Sequence, residues 1–409
     1  MFNEDSRYRW YALLLATLTY GAIAGAERLS MPVLFPAIAK DLHLSMVQIG
    51  TVWGMDPLAG VFIGLPGGLL VDRFGLKRTL TIVCIFAGIF GALRGFSVDF
   101  VTMSVFMFLF GIMAAITPSV VPKVTAVWFD GKQLANANGL LNVAWSLGAV
   151  FATMSSATVL APVLGGWRGV LFLFAIPPVI LGLLWWFTGR GPHKPIRTYE
   201  TVENENETVP FRQALSHVLR IKDVWILGFT LTSYWGANMG FSGYLTLYLE
   251  DYLHWSTAAA GGAMTLLSGI GLVGVMPMVW YSNHIGSRKA VIGIAAAVVG
   301  VAMAAVPFTA GAALWALIVV GGLLRAGATA LSNTMLFEMK GVGGKYAGTA
   351  IGLTNTLGMV GAFAAPPIGN ALTSISSGAP IYFWAALSLA TLPLLFFIKE
   401  RNIHEGPAY

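Results

Sequence analysis

Charge is what this sequence has least of. Only 10% of its 409 residues are Asp, Glu, Lys or Arg, while 56% are hydrophobic. A water-soluble domain carries about 25% charged residues. So little charge cannot cover a surface in water, which excludes a soluble globular protein and leaves lipid as the solvent for most of the chain. Cysteine is nearly absent as well. Cys84 is the one cysteine, so no disulfide can form within the chain. Its place inside an apolar stretch predicts inert packing and no redox role. The 6 histidines sit in loops or near the ends of apolar stretches, at no metal-ligand spacing. No phosphate loop of the G-x-x-x-x-G-K-[ST] type occurs, so ATP is not expected as the energy source. No catalytic constellation remains; neither an enzyme, a cofactor nor a bound metal is expected. Met1 to Trp10 has no apolar core and no cleavage site, and reads as a tail, not a signal peptide.

What is present is hydrophobic length. An apolar helix of about 20 residues spans a bilayer, and the chain divides into about twelve such stretches, predicting an all-α membrane protein. The 48 glycines fit a bundle of closely packed helices. The net charge of +6 is a topology signal and implies no nucleic-acid partner. With both termini cytoplasmic, Lys and Arg concentrate on the inner loops, and only Lys40, Arg94 and Arg168 fall outside. Arg28 and Arg325 belong to neither surface. The expected location is the cytoplasmic (inner) membrane of the cell.

The one long polar stretch, 189–222, contains Gly189, Gly191, Pro192 and Pro195 and the acidic residues Glu203, Glu205 and Glu207. It predicts a cytoplasmic linker between an N-terminal six-helix bundle (1–188) and a C-terminal one (223–409). An amphipathic piece is expected near Phe211–Leu219. The two halves resemble each other at an offset of about 210 residues, as the repeats of carriers do. Asp41 to Ser45 followed by Gly50 matches Asp251 to Ser256 followed by Gly261. Gly139 and Asn142 match Gly352 and Asn355, Gly148 matches Gly361, and Tyr20-Gly21 matches Tyr234-Trp235.

The loop after the second stretch reads Gly68-Leu-Leu-Val-Asp72-Arg73-Phe-Gly75-Leu-Lys77-Arg78, with a fainter copy at Asn283–Lys289. It matches the signature G-x-x-x-D-R-x-G-x-[KR]-[KR], and nearly the whole chain resembles the major facilitator superfamily of secondary transporters. That resemblance implies two pseudo-symmetric six-helix bundles, a monomer, and a cavity lined by spans one, four, seven and ten. It gives Gly68, Asp72, Arg73, Gly75, Lys77 and Arg78 the role of a gating latch. The latch is expected to be weaker in the second copy, where Asn283 and His284 replace Asp72 and Arg73. Glu27-Arg28-Leu-Ser30 also resembles the span-one element of the anion:cation symporter branch, in which the arginine binds the anion and the acid takes part in proton coupling. The branch's acid in span four has no counterpart here, and Asp56 offers a substitute.

An ionisable side chain at mid-membrane costs about 2.5–3.5 kcal/mol on insertion scales and persists where it faces a cavity or a partner. Glu27, Arg28, Asp56 and Arg325 are such residues. At about 1.5 Å per residue, Arg28 and Asp56 lie roughly 16 Å below the outer surface. The resemblance then puts Arg28 and Arg325 on opposite walls of one cavity. An arginine fork grips a carboxylate through two hydrogen bonds and keeps its charge at any working pH. Arg28 and Arg325 are therefore the expected anion site, with Tyr20, Tyr234, Asn142, Asn333 and Asn355 as orienting groups and Glu27 and Asp56 as proton carriers. Trp53, Trp145 and Trp235 are expected mainly to pack. The reading is a proton-coupled carrier (symporter) of a small organic anion, a carboxylate above all. A porter for nitrate, nitrite or cyanate, an anion exchanger, a carrier of an amphiphile, or a non-transporting sensor on a carrier fold are the alternatives.

Overall fold

The computed structural model describes residues 4–63, 73–190 and 211–398, and all regular structure among them is helical. Eleven helices are long and apolar enough to cross a membrane. In order they are Arg7–Asp41, Met46–Ile63, Leu76–Gly95, Phe100–Trp128, Gly131–Val163, Trp167–Thr188, Thr257–Ile285, Arg288–Phe308, Gly311–Glu338, Tyr346–Ser374 and Ala379–Phe396. A twelfth, Lys222–Leu247, lies between Thr188 and Thr257 and is long enough but more polar, carrying Thr230, Tyr234, Asn238, Ser242 and Thr246 among its buried residues. It is the seventh span. A polar helix is tolerated there because its polar side faces protein and a cavity, not lipid. The short helix Phe211–Val218 precedes it, with Ala214 and Val218 buried and Phe211 exposed.

Local chemistry sets the ends of the spans. Ser45 and Gln48 form a reciprocal cap at the start of the second span. Asp99 and Thr102 do the same for the fourth, and the Thr102 amide holds the Asp99 carboxyl below the usual range. The duplication seen in the sequence is also a duplication of backbone. Ser256 caps the eighth span where Ser45 caps the second. His43 and His254 both take left-handed conformations, at φ 50° and 54°. Gly75 and Gly286 turn the chain after the second and eighth spans at φ 77° and 70°, a region that side chains resist.

The twelve spans form two six-helix bundles. The second span packs on the eleventh and the fifth on the eighth, and the seventh meets the first and second, so these six helices make the seam between the bundles. The seam is close because it is lined by small residues. A Cβ at Gly50 would meet the Pro366 backbone, and one at Gly54 the Phe363 carbonyl. Side-chain hydrogen bonds cross the seam from Trp53 Nε1 to Met239 O (3.0 Å), from Asn370 Nδ2 to Met46 O (2.8 Å), between Thr153 and Thr265 (2.9 Å) and from Thr246 to Pro32 O. All four lie toward the end that carries the His43 and His254 turns. The molecule is sealed at that end.

Candidate substrate site

Below the seal lies a cavity of about 510 Å³ between the bundles. The first, second, fourth, fifth, seventh, eighth, tenth and eleventh spans all contribute to its wall.

The first span reaches it through an irregularity. Residues Gly21–Glu27 form a π-helical segment in mid-membrane, a feature that recurs at functional sites. Gly21 and Gly25 let it lie against the fifth span so closely that a Cβ at Gly21 would meet the Ala144 carbonyl. The indole of Trp145 donates to Ala24 O at 3.1 Å, supplying an extra partner where the helical ladder is distorted. Just past this segment, Glu27 and Arg28 point in different directions.

Arg28 lines the cavity with its side chain 32% exposed, and its fork is engaged by Asp56 of the second span. Nε and Nη2 both reach Asp56 Oδ2, at 2.6 and 2.5 Å. Asp56 is nearly closed off from solvent but is itself a cavity residue. Glu27 turns away from the cavity. It is fully buried and pairs with Arg94 of the third span at 3.3 Å. Arg94 is fully buried too, stacked over Phe110 at 3.9 Å and bonded to Gly91 O. This corrects the assignment of Arg94 to the outer surface: it sits in the last turn of its span, where position along the chain suggests solvent, but the first span covers it. Glu27 Oε1 occupies the space that a side chain at position 91 would fill, and its Oε2 has no hydrogen-bond partner.

Arg325 enters from the tenth span on the other bundle. It makes no ion pair and no side-chain hydrogen bond among the described residues. Tyr234 lies beside it, fixed by a bond from its hydroxyl to Arg325 O (3.2 Å). Asn355 lines the same cavity from the eleventh span, with its Oδ1 buried and unpartnered. Asn238 has its Nδ2 tied to Tyr234 O (2.8 Å) and its Oδ1 unpartnered.

The structure thus brings Arg28, Asp56, Tyr234, Arg325 and Asn355 to one cavity. Tyr20, Asn142 and Asn333 are not among its lining residues. Asn142 is exposed and bonds back to Asn138 O (3.1 Å), while Asn333 has a buried Oδ1 without a partner. Trp53, Trp145 and Trp235, expected to pack, all line the cavity, as do Met239, Met264, Met359 and Ser268. Their sequence signal is weak, since apolar residues in an apolar helix carry no mark of which face they occupy.

Of the signature loop, Gly68 and Asp72 lie outside the described residues. Arg73 is exposed beside the Phe74 ring, Gly75 supplies the left-handed turn, and Lys77 and Arg78 sit in the first turn of the third span. The second copy is organised by Arg288, which donates to Asn283, to Ser282 Oγ (3.2 Å) and to Glu338 Oε1 (3.2 Å). It ties the loop between the eighth and ninth spans to the end of the tenth.

Comparison with known proteins agrees with this architecture. The chain is 25% identical, over 418 aligned positions covering 98% of each protein, to the cis,cis-muconate transport protein of Acinetobacter baylyi (strain ATCC 33305 / BD413 / ADP1). It is 23% identical over 298 residues, 72% of this chain and 68% of the other, to the hexuronate transporter of Bacillus subtilis (strain 168). Among solved structures it superposes on a bacterial homologue of the human lysosomal transporter Spinster in its inward-facing, unoccupied conformation. There the TM-score is 0.79 at 18% identity, with 95% of each chain covered, which shows a shared fold. The Major Facilitator Superfamily profile matches residues 16–366. The chain belongs to the Major Facilitator Superfamily, and is a multi-pass membrane transporter and not an enzyme.

Proposed function

We propose that this protein carries a small organic carboxylate across the cytoplasmic membrane by alternating access, coupled to a proton. The observation that carries the reading is the charge arrangement in the cavity. Arg28 is neutralised by Asp56, and Arg325 faces the same space without a counter-ion among the described residues. Arg325 is half-buried in a largely apolar wall, where a cation without a counter-ion is costly, and an arriving carboxylate supplies what is missing. The relatives are named for carboxylates, one a sugar acid and one an unsaturated diacid. The cavity, about 510 Å³, is far larger than nitrate or cyanate needs and lies in the range of pockets for organic molecules.

Coupling follows from competition for one fork. A substrate carboxylate that grips Arg28 displaces Asp56. The displaced carboxylate is buried without its cation, which costs several kcal/mol unless a proton neutralises it. Substrate and proton therefore enter together. Asp56 is the carrier in this reading. Glu27 is held by Arg94 outside the cavity and anchors the first span on the third. Residues 1–188 and 223–409 move as two bodies joined by the linker 189–222, with the protein acting as a monomer. The loading of Lys and Arg on one set of loops supports cytoplasmic termini. That orientation makes the sealed end the outer one and the conformation inward-facing.

The test is flux in proteoliposomes. With a carboxylate found by counterflow, an imposed inward proton gradient drives accumulation in the wild type. Asp56→Asn keeps counterflow and loses gradient-driven accumulation. Gradient-driven accumulation that survives in Asp56→Asn assigns the proton elsewhere, and binding without any flux indicates a sensor.

A further inference from the structure

The cavity wall also constrains what the carboxylate is attached to, and this step rests on the carboxylate reading above. Most of the hydrogen-bonding groups around the site are already engaged within the protein. The indole N–H groups of Trp53, Trp145 and Trp235 donate to Met239 O, Ala24 O and Thr329 Oγ1, at 3.0, 3.1 and 3.3 Å. The hydroxyls of Ser242 and Thr356 donate to backbone carbonyls of their own helices, and that of Tyr234 to Arg325 O. With their polar edges fixed, the half-buried indoles of Trp145 and Trp235 offer apolar ring surface, while Trp53 is buried and packs edge-on against Phe35 at the margin of the cavity. The partly exposed Met239 and Met359 add polarisable thioethers, which favour contact with π systems.

Few polar groups remain for the body of a ligand. They are the Asn355 amide, Asn238 Oδ1, and the hydroxyls of Ser119, Ser268 and Thr329; Ser268 Oγ is itself buried, and Thr329 Oγ1 already accepts from Trp235. A sugar acid brings a hydroxyl on nearly every carbon. Each one desolvated without a partner costs about tenfold in affinity. A planar conjugated body needs no such partners and gains contact with ring faces and sulfur.

We infer that the cavity selects a carboxylate on a planar conjugated body, an aromatic or dienoic acid, over a polyhydroxylated sugar acid. The carboxylate lies toward Arg325 and Arg28, the plane lies among the tryptophan and methionine side chains, and Asn355 accepts from a donor on the body.

Thermal unfolding of the purified full-length protein tests this with benzoate, 4-hydroxybenzoate and sorbate against gluconate, glucuronate and galactarate. The expected result is stabilisation by the first group at concentrations at least tenfold lower than by the second. Trp235→Leu narrows that ratio and Trp235→Phe restores it, while Asn355→Leu removes any advantage of 4-hydroxybenzoate over benzoate. A variant that merely misfolds loses the response to both groups alike and starts from a lower unfolding temperature; Trp235→Phe then carries the comparison. Sugar acids that bind as tightly as the planar acids overturn this inference and leave the carboxylate reading standing. If no acid of either group binds, both fall.

Discussion

Four ionisable side chains form two ion pairs with different surroundings. Arg28–Asp56 faces a cavity, with a third of the arginine side chain exposed, whereas Glu27–Arg94 is closed off entirely. The first can exchange partners with a ligand, and the second cannot be reached by one. Breaking a buried pair from one side strands a charge, at about 3–5 kcal/mol, while replacing both partners with apolar groups is near neutral. Glu27→Gln alone is therefore expected to lower the unfolding temperature sharply in detergent, and Glu27→Met with Arg94→Met to recover most of the loss. Transport activity in the double variant separates an anchoring role for Glu27 from a proton-carrying one. Sequence alone identified Glu27, Arg28, Asp56 and Arg325 as charges within the spans, because polarity inside a long apolar run stands out. It did not identify Arg94, which sits at a span end, where a charge looks ordinary until another helix is laid over it. Which way each polar side chain turns was equally hidden: Asn142 and Asn355 occupy matching repeat positions, but only Asn355 lines the cavity.

At the scale of elements, the spans were legible, since hydrophobic length is a local property of the chain. The repeat reached down to backbone angles, as the His43/His254 and Gly75/Gly286 pairs show. The π-helical segment Gly21–Glu27 was not legible, because its cause lies in a neighbouring helix. Gly21 and Gly25 permit the approach, and Trp145 of the fifth span supplies the hydrogen bond to Ala24 O. That bond holds the turn from which Arg28 projects. Trp145→Phe keeps the ring and removes the donor. It is expected to cost about 1 kcal/mol of stability and to weaken substrate binding. A parallel titration of wild type and variant with one stabilising carboxylate checks this, with unchanged affinity counting against a positioning role.

For the whole molecule, the seam is what must change if the bundles rock. Its hydrogen bonds gather at one end, so opening that end requires breaking them together while the second–eleventh and fifth–eighth contacts pivot. The facing pair Thr153 and Thr265, with hydroxyls 2.9 Å apart, lies across this end. The one native cysteine, Cys84, is buried and will not interfere. Thr153→Cys with Thr265→Cys is expected to form a disulfide under mild oxidation that abolishes flux, preserves ligand-induced stabilisation, and is reversed by a reductant. Flux at the wild-type rate with the crosslink formed would show that the bundles do not separate there.

The central claim is that Arg325 is the cation that a substrate carboxylate neutralises. It is tested most directly by ligand-induced thermal stabilisation of the wild type and of Arg325→Leu, run against the same set of carboxylates. The account predicts that at least one acid raises the unfolding temperature of the wild type and that none raises that of the variant, whose own baseline is unchanged or higher because an unpaired cation has been removed. An equal rise in both proteins would contradict it.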